Sequence, residues 1–396
     1  MSWRERLGRN WGRLGMKYKL SDICFYVKGK VDVSGLTDAD YISTENMMPN
    51  KGGVTIASSL PSTAQTQAYR KDDVLVSNIR PYFKKIWFAD CNGGCSNDVL
   101  VFRAKEDTDA RFLYYVLADD AFFDYSTATS KGTKMPRGDK TPIMQYEVPH
   151  FDLPIQKKIA GILADIDNKI SLNNNINKNL LEQALTLYAT HFSSVDKNGC
   201  IGDYCAVKSG FAFKSSWWTN NGVKVIKIGS INQDNLNLLE CSYVDEDKAD
   251  KAKDFVVKAG DLLIAMTGAT IGKFSMVPYS SEVLLVNQRV GKFFLGNHPV
   301  KKLPFIYCTL KQPEVYNEVV NRGQGSAQPN ISASDIMSIP CVIPSQDVIN
   351  DFNDAAQPLF DLIISNQREN QQLSELRNTL LPKLMSGELD VSDIEF

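Results

Sequence analysis

Short apolar runs separated by polar turns fill most of the chain, and twice this pattern gives way to a long stretch of helical period. DVLVS (73–77) and DLLIA (261–265) are nearly unbroken apolar runs of strand length. Beyond Pro154, apolar residues fall at Ile159, Ile162, Ile166 and Ile170, then at Leu180, Leu181, Leu185 and Tyr188. Beyond Pro344 they fall at Ile349, Phe352, Ala356, Leu359 and Ile363, then at Leu373, Leu376 and Leu380. Steps of three and four predict two long helices, each with a narrow apolar stripe suited to a coiled-coil seam. A proline at each boundary suits a first helical turn, where its missing N–H costs nothing. Asparagine-rich stretches (173–179 and 366–370) interrupt both stripes. They read equally as buried amides that fix register or as solvated breaks in the seam. Pro358 predicts a kink in the second helix.

The two halves repeat each other. LSDICFYVKGK (20–30) answers IGDYCAVKSGF (201–211), ISTEN (42–46) answers IGSIN (228–232), and DVLVS answers DLLIA. SNDVLVF (96–102) answers VNQRVGKF (286–293), and FLYYVLADD (112–120) answers FIYCTLKQ (305–312), a short amphipathic helix in both copies. A Gly/Thr/Lys loop around Gly132 answers a Gly/Gln/Ser loop around Gly325. Six matches in one order predict a duplicated α+β chain. It comprises two mixed α/β domains (16–153 and 195–344), separated by two long helical spacers (154–194 and 345–396) that pair as an antiparallel coiled coil with pseudo-twofold symmetry. A helix from Pro154 to Phe192 spans about 58 Å at ~1.5 Å per residue. That exceeds one DNA turn of roughly 34–36 Å, the layout of a molecular ruler.

Composition narrows the partners. With 396 residues at 43% hydrophobic, the chain supports two or three cores, and no apolar run is long enough to span a membrane. Residues 345–396 hold three basic and ten acidic residues, a balance of −7 that leaves +5 on the other 344 within the net −2. Phosphate binding is therefore expected away from the tail. Eight cysteines form no disulfide framework, and with only three histidines (150, 191 and 298) no zinc quartet is expected. Residues 1–15 carry four arginines and read as a disordered extension before a start at Met16.

The C-terminal LRNTLLPKLMSGELDV (376–391) and the central LPIQKKIAGILADIDNKI (153–170) give the chain a strong resemblance to specificity subunits of type I restriction–modification enzymes. SGFAFKSSWW (209–218), TGATIGK (267–273) and YISTENM (41–47) resemble segments of their target recognition domains. The resemblance covers nearly the whole chain from Met16. It implies that each globular domain reads half of a bipartite, asymmetric site in double-stranded DNA. It implies further that the helices space the half-sites and dock two modification subunits and the restriction subunits. Adenine methylation with S-adenosylmethionine, and ATP- and Mg2+-dependent cleavage, would belong to those partners. The chain itself would be a non-catalytic, cytoplasmic protein without cofactor or metal.

The residues agree. GATIGK (268–273) has three residues between its glycines where a phosphate loop needs four, and Phe274 stands where Ser or Thr would hold magnesium. A glycine turn between strands fits better. His150 and His191 flank the first helix and are expected to cap or pack. No Asp/Asn-Pro-Pro-aromatic tetrapeptide of the aminomethyltransferases is present, and no Ser/His/Asp set stands out. The candidate DNA contacts of the first domain are Arg80, Lys84, Lys85, Lys131, Thr133, Lys134, Arg137 and Lys140. Those of the second are Lys214, Ser216, Lys273, Asn287, Gln288, Arg289, Arg322, Gln324, Ser326 and Gln328. Arginine reads guanine and amides read adenine in the major groove, whereas lysines hold phosphate. The first set is basic and the second rich in amides, so different half-sites are expected. Two alternatives make other predictions: a protein–protein scaffold would not affect DNA specificity, and a self-contained DNA-modifying enzyme would act without partners.

Overall fold

A computed structural model describes residues 17–324 and 329–394. The proposed extension 1–15, its Met16 start, and Gly325, Ser326 and Gln328 lie outside the described residues. Two compact units emerge: residues 1–167 with 375–396, and residues 168–374.

In the first unit, β1 (Lys17–Lys19) pairs antiparallel with β10 (Glu147–Pro149). A four-stranded antiparallel sheet follows the order β2 (Cys24–Tyr26), β9 (Val99–Ala104), β6 (Val74–Ser77), β7 (Ile86–Phe88). A second sheet holds β3 (Lys30–Asp32), β5 (Gln65–Tyr69), β8 (Gly93–Cys95) and β4 (Tyr41–Ile42), with β4 and β8 parallel. β6 has no polar face because it lies between two cores. Val74 and Val76 join the core formed with α2 (Ala110–Ala118), α3 (Asp120–Ala128) and the start of α5 (Leu153–Phe192). Leu75 points the other way, onto Ile42, Tyr69 and Cys95. An unbroken apolar run is what burial on both faces demands. α1 (Leu20–Ile23) and α4 (Lys140–Ile143) are single turns.

The second unit repeats the plan. β11 (Gly199–Cys200) pairs with β23 (Pro340–Cys341), beside the single turn α6 (Ile201–Tyr204). One sheet runs β12 (Val207–Ser209), β22 (Val290–Phe293), β19 (Leu262–Ala265), β20 (Phe274–Met276). The other runs β13 (Trp218–Thr219), β17 (Ser242–Val244), β14 (Val223–Ile226), β21 (Leu284–Val286), β18 (Val256–Val257). β14 lies parallel to β21 as β4 does to β8. A small hairpin, β15 (Ile231–Asn232) with β16 (Asn235–Leu236), has no counterpart among the named strands of the first unit. The helices are α7 (Glu246–Ala249), α8 (Leu303–Lys311), α9 (Pro313–Gly323), α10 (Ala333–Met337) and α11 (Gln346–Met385).

α5 and α11 are each forty residues long and pack antiparallel. Within the second unit, Tyr188 and Phe192 pack edge-to-face against Phe352, at centroid distances of 5.6 and 5.3 Å. Further along, Asn177 Oδ1 accepts from Asn366 at 2.8 Å, and Asn173, 1% exposed, donates to Glu369 Oε2 (2.7 Å) and Asn370 Oδ1 (2.9 Å). Within the first unit, Arg377 binds Asp167 at 2.7 Å, and Tyr115 of α2 donates to the same carboxylate at 2.8 Å. The asparagines are therefore register-fixing partners, not frayed breaks. Amide pairs of fixed length tolerate no slip, whereas an apolar seam alone would accept several registers. Leu376, expected in the stripe, is exposed, because Arg377 turns toward Asp167 in its stead. Pro358 sits inside an unbroken helix.

Candidate nucleic-acid interface

Three loops meet at one edge of each unit, held by backbone hydrogen bonds. In the first unit they are the β6–β7 turn (78–85), the β8–β9 turn (96–98) and the glycine loop (130–138). Asn78 N donates to Asp98 O (2.8 Å), Arg80 N to Pro136 O (2.8 Å) and Gly138 N to Asn78 O (3.0 Å). Lys131 and Arg137 exchange bonds of 2.9 Å in both directions, closing the glycine loop on itself. Gly132 supplies the positive φ (+95°) this reversal needs.

Of the eight candidates here, seven lie in this loop cluster. Thr133 and Lys134 are exposed, with no side-chain partner among the described residues. Arg137 is exposed and leans on Asp98 at 3.3 Å, and Lys131 reaches Asp139 at 2.5 Å. Lys84 shares Asp120 with Lys51, at 3.0 and 2.8 Å. Burial works against that carboxylate, yet the two lysines prevail and hold its pKa below the ordinary value. Lys85 turns inward, donating to Thr44 O at 2.6 Å, and burial lowers its pKa. Lys140 stands apart at the start of α4, its ammonium 5.9 Å from the Tyr26 ring.

The second unit is built on the same bonds. Met266 N donates to Arg289 O (3.0 Å), Gly268 N to Pro329 O (3.0 Å) and Ile331 N to Met266 O (2.9 Å). Ser96 N donates to Ile42 O (2.8 Å) as Asn287 N does to Ile226 O (3.0 Å). Asp98 N is accepted by Ser96 Oγ as Arg289 N is by Asn287 Oδ1. Asn287 is therefore buried as a turn-former, while Gln288 and Arg289 project outward. GATIGK forms the β19–β20 turn. Lys273 is half-buried at its end, and Gln324 is exposed at the end of α9. Arg322 is committed internally, to Glu318 (2.9 Å), Asp335 O (3.0 Å) and Ser338 Oγ (2.6 Å), where it holds α10 in place. Lys214 and Ser216 lie exposed on the loop after β12. That loop is drawn to the Asn287 turn by Gln288 N donating to Phe211 O (2.8 Å). Gly210 is required there, since a Cβ would stand 2.3 Å from Val286 O.

The described residues contain no group of three or more His, Cys, Asp or Glu able to hold a metal, and no helix long and apolar enough to cross a membrane. His150 packs against Tyr18 with tilted rings 4.2 Å apart, and His191 Nδ1 lies 2.8 Å from Leu187 O.

The sequence model described as "Type I restriction modification DNA specificity domain" matches residues 15–182 and again 196–375. The chain belongs to that family. The MjaVIII specificity subunit of Methanocaldococcus jannaschii is 24% identical over 309 residues, covering 71% of this chain and 72% of that protein. The HindI specificity subunit of Haemophilus influenzae is 22% identical over 471 aligned positions, covering 94% and 99%. The crystal structure of the type I restriction–modification S subunit from M. genitalium shares the fold at a TM-score of 0.51 and 17% identity, covering 95% of this chain and 96% of that one.

Laying one specificity domain on the other reveals what the sequence reading passed over. Asn97 occupies the place of Gln288, exposed and with no side-chain partner among the described residues; the SNDVLVF/VNQRVGKF match carried that signal. At the other end of the strands that lead into these turns sits a buried carboxylate. Asp73 accepts from Arg70 N (2.7 Å) and from Arg103 Nε and Nη2 (2.7 and 2.8 Å). Asp261 accepts from Lys258 N (2.9 Å) and pairs with Lys292 (2.6 Å). In the second domain, Lys214, Lys248 and Lys251 surround the Trp217 ring within 5.3–5.9 Å. A basic–aromatic grouping of this kind suits a phosphate backbone.

Proposed function

We propose that this protein is the DNA-reading subunit of a type I restriction–modification complex. Each specificity domain takes one half of a bipartite, asymmetric duplex target through its three-loop edge. Residues 16–153 and 195–344 act as recognition domains. Residues 154–194 and 345–396 act as the helical spacer and as docking surfaces for two modification subunits and for restriction subunits. Chemistry, with S-adenosylmethionine, ATP and Mg2+, belongs to those partners, and the work is done in the cytoplasm beside host DNA.

One observation carries this reading. The same backbone frame recurs in both domains, yet it presents Asn97, Lys134 and Arg137 in one and Gln288, Arg289 and Gln324 in the other. A frame built twice with different outward side chains suits two half-sites of different sequence, because donors and acceptors at base edges specify and the fold only positions them. Of the eighteen candidates, the exposed loop residues are assigned to DNA, while Arg322, Asn287 and Lys85 serve to hold the loops.

Single-molecule methylation mapping of a host with and without the gene tests this. One bipartite adenine-methylation motif should vanish with the gene, and purified chain with DNA, Mg2+ and S-adenosylmethionine should remain inert. An unchanged methylome alongside an assembled complex would favour a plain scaffold and overturn the proposal.

A further inference from the structure

The β6–β7 turn carries aromatic side chains outward where a soluble turn usually carries polar ones. Tyr82 and Phe83 form its tip, 47% and 38% exposed, with ring centroids 4.8 Å apart. The backbone beneath is strained. Six described non-glycine residues have left-handed φ, and four of them support this tip: Arg80 (+50°), Lys84 (+52°), Asn50 (+55°) and Lys51 (+61°). Asn50 N donates to Phe83 O and Lys51 N to Lys84 O, both at 2.8 Å, so a second loop clasps the turn from behind. Asn78 Oδ1 and Arg80 Nε are buried there without hydrogen-bond partners among the described residues. Strain and unmet polar atoms concentrated under two exposed rings mark a feature kept for use, since each lowers stability.

The surroundings select the occupant. Lys134 and Arg137 of the adjoining glycine loop are exposed, with Arg137 beside Asp98; Lys51 and Lys84 flank the tip and share Asp120, so the rim keeps a net positive charge, and Met135 of the same loop is half exposed. An apolar tip in a cationic rim matches a polyanion that can also offer flat apolar faces. Resting on the DNA-reading function proposed above, we propose that Tyr82 and Phe83 form a wedge. It enters the half-site read by the first domain and unstacks one base step. Apolar wedges of this kind kink the duplex and make recognition depend on how easily a step opens. The corresponding turn of the second domain, Gly268–Thr270, carries no aromatic residue, so its half-site stays stacked.

The test uses the specificity chain assembled with its modification subunits and a bipartite duplex carrying 2-aminopurine at successive positions. Apart from the adenine that a modification subunit flips out for methylation, wild-type complex should raise fluorescence at one further step of the first half-site and at none of the second. Tyr82→Ala/Phe83→Ala should abolish the rise and weaken binding by roughly tenfold or more. The variant's melting temperature should fall only slightly, since both rings are partly exposed and the backbone bonds beneath them remain, and a Tyr82→Leu variant, retaining an apolar tip, should keep much of the signal. Specific binding with no fluorescence change beyond the flipped adenines would overturn the wedge and leave the DNA-reading function standing. So would a loss reproduced by replacing thymine with uracil, which would show contact with a methyl group instead. Binding no tighter than to unrelated DNA at the same salt would sink both.

Discussion

Gln288 and Asn97 crown equivalent turns, and replacing each with alanine separates reading from folding. Neither side chain has a partner among the described residues, and the turn bonds run through the backbone, Gln288 N to Phe211 O and Asn287 N to Ile226 O. Truncation therefore removes no internal contact, and stability should stay within about 0.5 kcal/mol of wild type. A bidentate amide–adenine contact discriminates by about 1–3 kcal/mol, roughly 5- to 150-fold in affinity. Gln288→Ala should lose that factor at one base position of the second half-site only, and Asn97→Ala at one position of the first. Fluorescence anisotropy of the assembled complex, on duplexes substituted one base at a time, measures it. Lys134→Ala serves as contrast: it should weaken every duplex alike and reduce the slope of log K against log salt by ~0.9. Were Gln288→Ala to weaken all duplexes equally, or to act on the first half-site, the assignment of this turn to base reading would be wrong.

Two further predictions concern the scaffold. Asp73→Ala leaves the Arg103 guanidinium and Arg70 N–H without their acceptor, and breaking a buried pair costs about 3–5 kcal/mol. With Arg103 partly exposed, the expected loss is nearer ~3 kcal/mol, read as faster amide exchange across Val74–Ser77, with Asp261→Ala doing the same for Leu262–Ala265. Glu369 takes the second: the hydrogen bond from Asn173, then Lys169 at 3.2 Å, holds its carboxyl below the ordinary range. A depressed carboxylate pKa contributes stability above the unfolded value, about 4.3, and loses it as pH falls through the folded one. Glu369→Gln should therefore lower the melting temperature slightly at pH 7 and by less as the pH falls below about 4.3; an equal effect at pH 7 and pH 3 would refute the ion's role.

How much of this could be read from the chain depends on whether the signal was local. DVLVS and DLLIA announced buried strands because burial on both faces leaves no polar position, and the forty-residue helices announced themselves by steps of three and four. The asparagines were ambiguous because their fate rests on a partner almost two hundred residues away, such as Asn370 for Asn173. Arg322 looked like any loop cation. Its inward bonds to Asp335 and Ser338 exist only once α10 folds back onto α9. The parallel β4–β8 pairing joins segments some fifty residues apart and helps bring the Ser96 turn to the edge. Asn97 was legible and went unread: the repeat that placed Gln288 placed it too.

The duplication also explains why specificity can diverge while the fold does not. The bonds common to the two edges are backbone hydrogen bonds and one side-chain bond per turn, from Asp98 N to Ser96 Oγ and from Arg289 N to Asn287 Oδ1, while the buried pairs Asp73–Arg103 and Asp261–Lys292 lie at the other end of the same strands. The outward positions bear no such duty. Asp98 in one domain stands where Arg289 stands in the other, a reversal of charge that leaves the turn bonds unchanged, Asn78 N to Asp98 O and Met266 N to Arg289 O. An acid at that point recruits Arg137 as neighbour, whereas an arginine there reaches outward itself. On the function proposed above, a single exchange at this position would change which cation faces the duplex and from which loop. Reading can shift by substitution at the tips at almost no cost to folding, provided the hydrogen bonds beneath each tip are kept.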